Sequence, residues 1–302
     1  MTRVTDIGED ALVSRLLAQL PEAPAELFVG PGDDCAVVPF SESEWQLLKT
    51  DAIVEGVHFL LEENRSRVGW KAIARVVSDF AAMGGRPRWF LITVGIPADA
   101  AIEPLEDLYR GMADCLQTYG AALVGGETTR VASQAGLFVS IAATGFVEKS
   151  HLLLRSTARC GDAVYVTGRL GGSMAGRHLE IQPRLAEAHW LAGRGFATAM
   201  MDLSDGLARD LPRLARASGV GFSLDLASLP CHDGCTAAHA LQDGEDYELL
   251  FTCAPHFAET LLLQWREAFP DTPLTCIGRM VDADDSMHLQ GGWDHFAPAS
   301  SA

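Results

Sequence analysis

Basic residues are scarce in this chain: 23 Lys and Arg stand against 40 Asp and Glu, a formal net charge of −17. Such a field repels nucleic acid and anionic membrane surfaces, so neither is expected as a partner. It leaves room for a phosphorylated small molecule, because bound divalent metal inverts the sign of a carboxylate-lined pocket. Long apolar runs are also missing, and the opening Met1-Thr2-Arg3-Val4-Thr5-Asp6 lacks the apolar core of a signal peptide. The seven cysteines form no CxxC pair, which fits a reducing cytoplasm. Cys231 and Cys235, around His232 and Asp233, read as a loop with incidental thiols, since no second pair completes a zinc site. There is no GxxxxGK[ST] phosphate loop, no protein-kinase signature and no GxGxxG between a strand and a helix. Any nucleotide chemistry here uses another architecture. Short-period repeats and low-complexity segments are absent as well.

What is present is enough for two domains of ordinary size: 302 residues, 48% of them hydrophobic. Leu12, Leu16, Leu17 and Leu20 recur at helical spacing before Pro21. "GPGDD" is a turn into the apolar run Ala36-Val37-Val38, and "WQLLKTDAIVEGVHF" reads as a strand that opens into a loop at Asp51. Residues 68–83 read as a largely buried helix ending at Gly84-Gly85. A strand (89–96), a helix (103–118), a strand ending in "LVGGETTR" and a strand from Leu137 to Val147 complete the first half. Beyond Ser150, "GDAVYVTG", "VGFSLDL", "DYELLFTC" and "PLTCIGRM" read as strands, with helices at 235–241 and 256–268. "GRLGGSMAG" is a glycine-rich passage into a short helix, and "AMMDLSDGLARDLPRLARASG" is a turn followed by a helix capped by Ser204 or Asp205. Strands and helices mix without strict alternation, so the expected class is α+β, with a boundary between 1–149 and 150–302.

The acids carry most of the information. Asp79 lies in "VVSDFAAM" among apolar neighbours, and a buried, unpaired carboxylate needs a metal, a base or a proton. An arginine or a helix end would satisfy it equally well. Asp33 and Asp34 follow Gly30-Pro31-Gly32, Asp51 interrupts an apolar strand after Thr50, and Asp202 and Asp205 follow Ala199-Met200-Met201. Taken singly, each reads as a turn or cap acid. Together they place carboxylates where apolar elements from both halves meet glycine-rich turns, as a multi-metal site for Mg²⁺ would. Gly125-Gly126-Glu127-Thr128-Thr129 taken alone is a strand-ending turn with an acid in it.

"GPGDDCAV", "TDAIVEGVHF", "WKAIARVVSDFAAMG", "VGGETTR", "GDAVYVTGRLGGSMAG", "MMDLSDGL", "GEDYELLF" and "WDHF" occur in an order that resembles the thiamine-monophosphate kinases of the aminoimidazole ribonucleotide synthetase superfamily. The resemblance covers nearly the whole chain. It implies two α/β-sandwich-like domains, a homodimer formed through the N-terminal domains, and transfer of phosphate from ATP to thiamine phosphate. By motif, it implies Asp34, Thr50, Asp51, Asp79, Glu127, Asp202 and Asp205 as Mg²⁺ ligands. It likewise implies Tyr109, Gly126, Glu127, Arg155 and Ser204 as ATP contacts, and His58, Glu245 and Trp293 as contacts to the thiamine moiety. No general base is implied, because a phosphate oxygen is already largely ionised at neutral pH. Without the resemblance, Trp293 reads as a packing aromatic and His58 as a polar loop residue.

Three features depart from that family pattern. Lys49 stands where a serine or threonine usually precedes the Thr-Asp pair, and an ammonium cannot ligate Mg²⁺. Glu127 replaces the usual aspartate. The segment between Gly176 and Pro183 is short and lacks a His-x-Arg-Pro-like element. Two other readings stay open: a superfamily enzyme with a different acceptor, and a nucleotide-binding homologue without activity.

Overall fold

The computed structural model describes residues 2–296. Two five-stranded sheets organise them. The first uses β1 (Ala36–Pro39), β2 (Glu44–Val54), β3 (Arg86–Pro97), β4 (Ala122–Val131) and β5 (Phe138–Glu148), in the order β1-β2-β5-β3-β4. The second uses β6 (Ala163–Thr167), β7 (Ala197–Asp202), β8 (Gly221–Leu224), β9 (Leu249–Cys253) and β10 (Leu274–Val281), in the order β7-β9-β6-β10-β8. Every pairing is antiparallel except β3 with β4. Helices accompany both sheets, so the class is α+β as expected.

One face of the first sheet is covered by α2 (Arg65–Ala82), with α3 (Ile102–Thr118) packed against α2. Asn64 starts α2 by accepting the Arg67 N–H at 3.0 Å. Gly69 and Gly111 let the two helices cross closely. A Cβ at Gly69 would lie 1.9 Å from the Leu108 carbonyl oxygen, and one at Gly111 would lie 1.7 Å from that of Ser66. The opposite face stays bare, exposing Leu48, Trp89, Leu91 and Val124. Over it opens a shallow apolar cavity of about 680 Å³.

The two halves share their cores. Leu179, Ile181 and Tyr247 pack into the core under the first sheet, and Ala81 of α2 packs among residues of the second half. Inter-element contact therefore fixes α2 against both sheets, and the site described below depends on that.

Several local expectations need correction. β2 does not open at Asp51: β5 pairs with it along its whole length, from Glu44↔Glu148 to Val54↔Phe138. "GGETT" is not a turn but the middle of β4, in parallel register with β3 from Ile92↔Gly126 to Gly95↔Thr129. Helix α5 (Leu207–Ser218) has Gly206 at its N-cap, with φ +97°. The Asp210 carboxylate reaches back instead and accepts the N–H groups of Ser204 and Asp205, at 3.1 and 2.9 Å. The "turn" before it contains strand β7, and residues Leu185–Arg194 form a further helix, α4, that the periodicity above does not include. The glycine-rich passage yields only two 3₁₀ turns, Ser173–Ala175 and Arg177–Leu179. The two remaining helices, α6 (Ala237–Gln242) and α7 (Ala258–Ala268), fall where expected. The described part of the N-terminal helix α1 spans Gly8–Leu17 and buries no residue. Among the described residues, no helix is long and apolar enough to cross a membrane.

Candidate active site

Asp34, from the loop before β1, Asp79, from α2, and Asp202, at the end of β7, each offer one oxygen, and these lie within 4.8 Å of one another. All three side chains are buried. Burial pushes the carboxyl of Asp202 up to about 7, with the Asp34 charge adding to the rise. Burial likewise holds Asp79 well above the ordinary carboxylate range, although the Lys49 ammonium works against it. Acids that resist ionisation in the bare protein are ready to release protons to a cation. Hard oxygens at this spacing fit Mg²⁺. Among the described residues, this is the group of His, Cys, Asp and Glu side chains placed to share an ion. Cys231 and Cys235 are free thiols outside it.

Three cations surround the acids. Lys49 Nζ donates to Asp79 Oδ1 at 2.6 Å. The Arg155 guanidinium takes both oxygens of Asp34, and its backbone N–H donates to Asp33 at 3.1 Å. Arg75 Nη2 donates to Asp51 Oδ1 at 3.3 Å. Arg155, read from sequence as a phosphate contact, is thus engaged with an acid of the cluster.

Beside the cluster lies a cleft of about 120 Å³. His58, Glu245 and Trp293 line it together with Ser204, Asp205 and Arg75. Residues far apart in sequence thus converge on one wall. The Val54 N–H donates to His58 Nδ1 at 3.1 Å, which leaves the Nε2–H as the ring's remaining donor. Burial, then the charge of Arg75, lowers the His58 pKa to about 3, so the ring is neutral. Glu245 and Tyr247 hold left-handed backbone, with φ of 53° and 51°. Strain of this kind in non-glycine residues persists only where surroundings impose it. Part of the imposing is done by Lys71, fully buried, whose Nζ donates to the His58 carbonyl at 2.6 Å and to Glu245 Oε2 at 2.7 Å. His178 Nδ1 lies 2.8 Å from the same ammonium. Trp293 is fastened through its backbone: its N–H donates to the Asp205 carbonyl at 2.8 Å, and its carbonyl accepts from Arg209.

Other residues lie elsewhere. Thr50 points to the bare face of β2, as strand alternation from Asp51 requires, and its hydroxyl donates to the Ile141 carbonyl at 3.0 Å. Register puts Glu127 in one row with Thr93, Ser140 and Ala52, again on the bare face. Three strand spacings, roughly 14 Å, separate Glu127 from Ala52. Gly126 has a structural cause: its Cβ would sit 2.0 Å from the Ile92 carbonyl oxygen. Tyr109 packs on α3 against the first core and lines none of these features.

The sequence reading missed Lys71 and Arg75. Their signal was available: Lys71, Arg75 and Asp79 recur every four residues along a helix whose neighbours are apolar. A buried stripe of charge is rarely passive.

The fold and this site have known counterparts. Residues 32–147 match the model described as AIR synthase related protein, N-terminal domain, and residues 159–288 match its C-terminal domain. The chain is thus built as an AIR synthase related protein. Within that class, it is 36% identical over 292 residues to a thiamine-monophosphate kinase from Rhodopirellula baltica, covering 90% of this chain and 89% of that one. A thiamine-monophosphate kinase from Escherichia coli is 33% identical over 329 residues, covering 96% and 98%. Among solved structures, AaThiL complexed with AMPPCP and TMP superposes with a TM-score of 0.83 at 31% identity, covering 98% of this chain and 99% of that one. The chain belongs to the thiamine-monophosphate kinase family. Escherichia coli HypE, a hydrogenase maturation protein, shares the fold alone, with a TM-score of 0.68 at 20% identity.

Proposed function

We propose that this chain transfers the γ-phosphoryl group of ATP to thiamine phosphate, giving ADP and thiamine diphosphate. The observation that carries the reading is the convergence of His58, Glu245 and Trp293 in one cleft beside the buried acids. Family membership and a relative solved with AMPPCP and TMP support it.

An oxygen of the acceptor phosphate attacks the γ-phosphorus as the bond from that phosphorus to the ADP oxygen breaks. No proton need be abstracted, which suits a neutral His58 and the lack of a general base. The task is to bring two polyanions together. Asp34, Asp79 and Asp202 would hold Mg²⁺, with Asp51 and Asp205 at the margins, and Mg²⁺ supplies charge neutralisation and orientation of the phosphates. Trp293, 46% exposed at the cleft, offers a face to the cationic thiazolium. Glu245, held by the Lys71 ammonium at 2.7 Å, can accept from an aminopyrimidine N–H. Ser204 serves the nucleotide side.

The chain is read as a homodimer of two-domain subunits that divide near residue 150, acting in the cytoplasm. The bare apolar face of the first sheet supports the dimer. Glu127 on that face is too far from the acids of its own chain to share their ion. A second copy, packed face to face, would supply both Glu127 and Gly126 to the opposite site. Val124→Glu should then yield monomers by sedimentation and inactivate the enzyme; active monomers would refute this arrangement.

The function itself is tested by ADP release from purified protein with Mg²⁺ and ATP, with and without thiamine phosphate. Stimulation by thiamine phosphate, formation of thiamine diphosphate and loss of both in Asp202→Asn are expected. No stimulation would sink the proposal.

A further inference from the structure

Arg75 is the most unusual group beside the cleft. It lies inside α2, where the neighbours Ala74, Val76 and Val77 are fully buried. Its side chain is only 12% exposed. Of its three nitrogens, Nη2 is paired with Asp51 at 3.3 Å. Nε and Nη1 are buried and have no acceptor among the described residues. Leaving buried donors unmet is expensive, and a guanidinium carries its charge at any working pH. A helix this apolar has no packing need for such a group.

We infer that Arg75 is a specificity residue for the acceptor: its guanidinium fork receives the phosphate of thiamine phosphate. The inference rests on the function proposed above. Placement favours it. Arg75 lines the cleft with His58, Glu245 and Trp293, and through Asp51 it touches the acidic side of the site. An acceptor with its rings against Trp293 must carry its phosphate toward the acids, past Arg75. Nη2 shares one edge of the guanidinium with Nε and the other with Nη1, and either edge takes two oxygens of a tetrahedral anion when Asp51 uses only one Nη2 hydrogen. Asp51 then acts as the counter-ion that holds the fork in place, and the incoming dianion meets a cation before it meets the carboxylates.

The test separates phosphate from ring recognition. Calorimetric titration of the full chain with thiamine phosphate, and separately with thiamine, is compared for wild type, Arg75→Met and Arg75→Lys. Arg75→Met should lose roughly 10–100-fold in affinity for thiamine phosphate, the scale of a charge-assisted pair, and stay within twofold for thiamine. Arg75→Lys keeps the charge beside Asp51 but not the fork, and should still lose about fivefold or more for the phosphorylated ligand alone. If Arg75→Met is insoluble, Arg75→Lys decides the matter. Unchanged affinity for thiamine phosphate, or equal loss for both ligands, would overturn the assignment. If wild type shows no preference for thiamine phosphate over thiamine, the proposed function fails first and the role of Arg75 with it. A preference retained in both variants removes the role of Arg75 alone.

Discussion

Lys49 offers the sharpest test of how the acid cluster is kept intact. Its ammonium lies 2.6 Å from Asp79 Oδ1, with side-chain exposures of 21% and 10% for the pair. Lys49→Met removes the charge while nearly keeping the volume. Breaking a buried pair by deleting one partner costs about 3–5 kcal/mol, and the residual exposure favours the lower end. At about 2–4 °C per kcal/mol, a loss near 3 kcal/mol lowers the melting temperature in EDTA by about 6–12 °C. The penalty should grow with pH. Burial already raises Asp79 above the ordinary range, and loss of Lys49 raises it further, so at low pH the acid is protonated and needs no partner. Mg²⁺ should then stabilise the variant more than the wild type, because Asp79 becomes free to bind it. Scanning fluorimetry at pH 5.5 and 8.5, with EDTA or a Mg²⁺ titration, reads all three effects. A shift under 2 °C in EDTA at pH 8.5, or identical Mg²⁺-induced shifts in both proteins, would refute the reasoning.

Other outcomes follow from the same geometry. Without metal, stability should fall between pH 4 and 8. Asp33 and Asp202 have folded pKa values raised to about 6 and 7, so the native state binds more protons than the unfolded one and is favoured at low pH. Saturating Mg²⁺ should flatten that slope, as paired melts across pH would reveal. Trp293→Ala should raise KM for thiamine phosphate roughly 5–30-fold while KM for ATP holds, since a cation–π contact is worth about 1–2 kcal/mol. Parallel rises in both constants in steady-state kinetics would count against its role. Gly126→Ala sets a Cβ against the Ile92 carbonyl and should cost roughly 2–3 kcal/mol, measurable by urea unfolding. A neutral result would mean that β4 moves freely relative to β3.

Much of the fold was legible because burial leaves a periodic trace. Helix α2 runs 65–82 against an expectation of 68–83, and β3, α3 and β5 fall within a few residues of their expected bounds. Edge strand β4 was not legible. Gly126 answers to the Ile92 carbonyl on a neighbouring strand, and pair contacts leave no local signature. Helix α4 did leave one, in Leu185, Ala188, Leu191 and Ala192 followed by Gly195. At the site, Asp34, Asp79 and Asp202 could be picked out as acids in apolar settings. The cations that pair with Asp79, Asp34 and Asp51 could not be assigned by inspection, because Lys49, Arg155 and Arg75 come from β2, a 3₁₀ turn and α2, which meet only in three dimensions. The back-capping by Asp210 was hidden because Ser204 and Asp205 are good cap residues by type, and φ at Gly206 is invisible in sequence.

Trp293 hangs on the Asp205 carbonyl and on Arg209, beyond the helices and strands of the described residues. The two sheets and the acid cluster are therefore built without Trp293, and only the cleft depends on it for an aromatic wall. Nucleotide and metal binding would thus be separable from acceptor binding, which draws on the segment at Trp293. A chain terminated just short of residue 293 would be a well-folded molecule able to hold one substrate without a seat for the other.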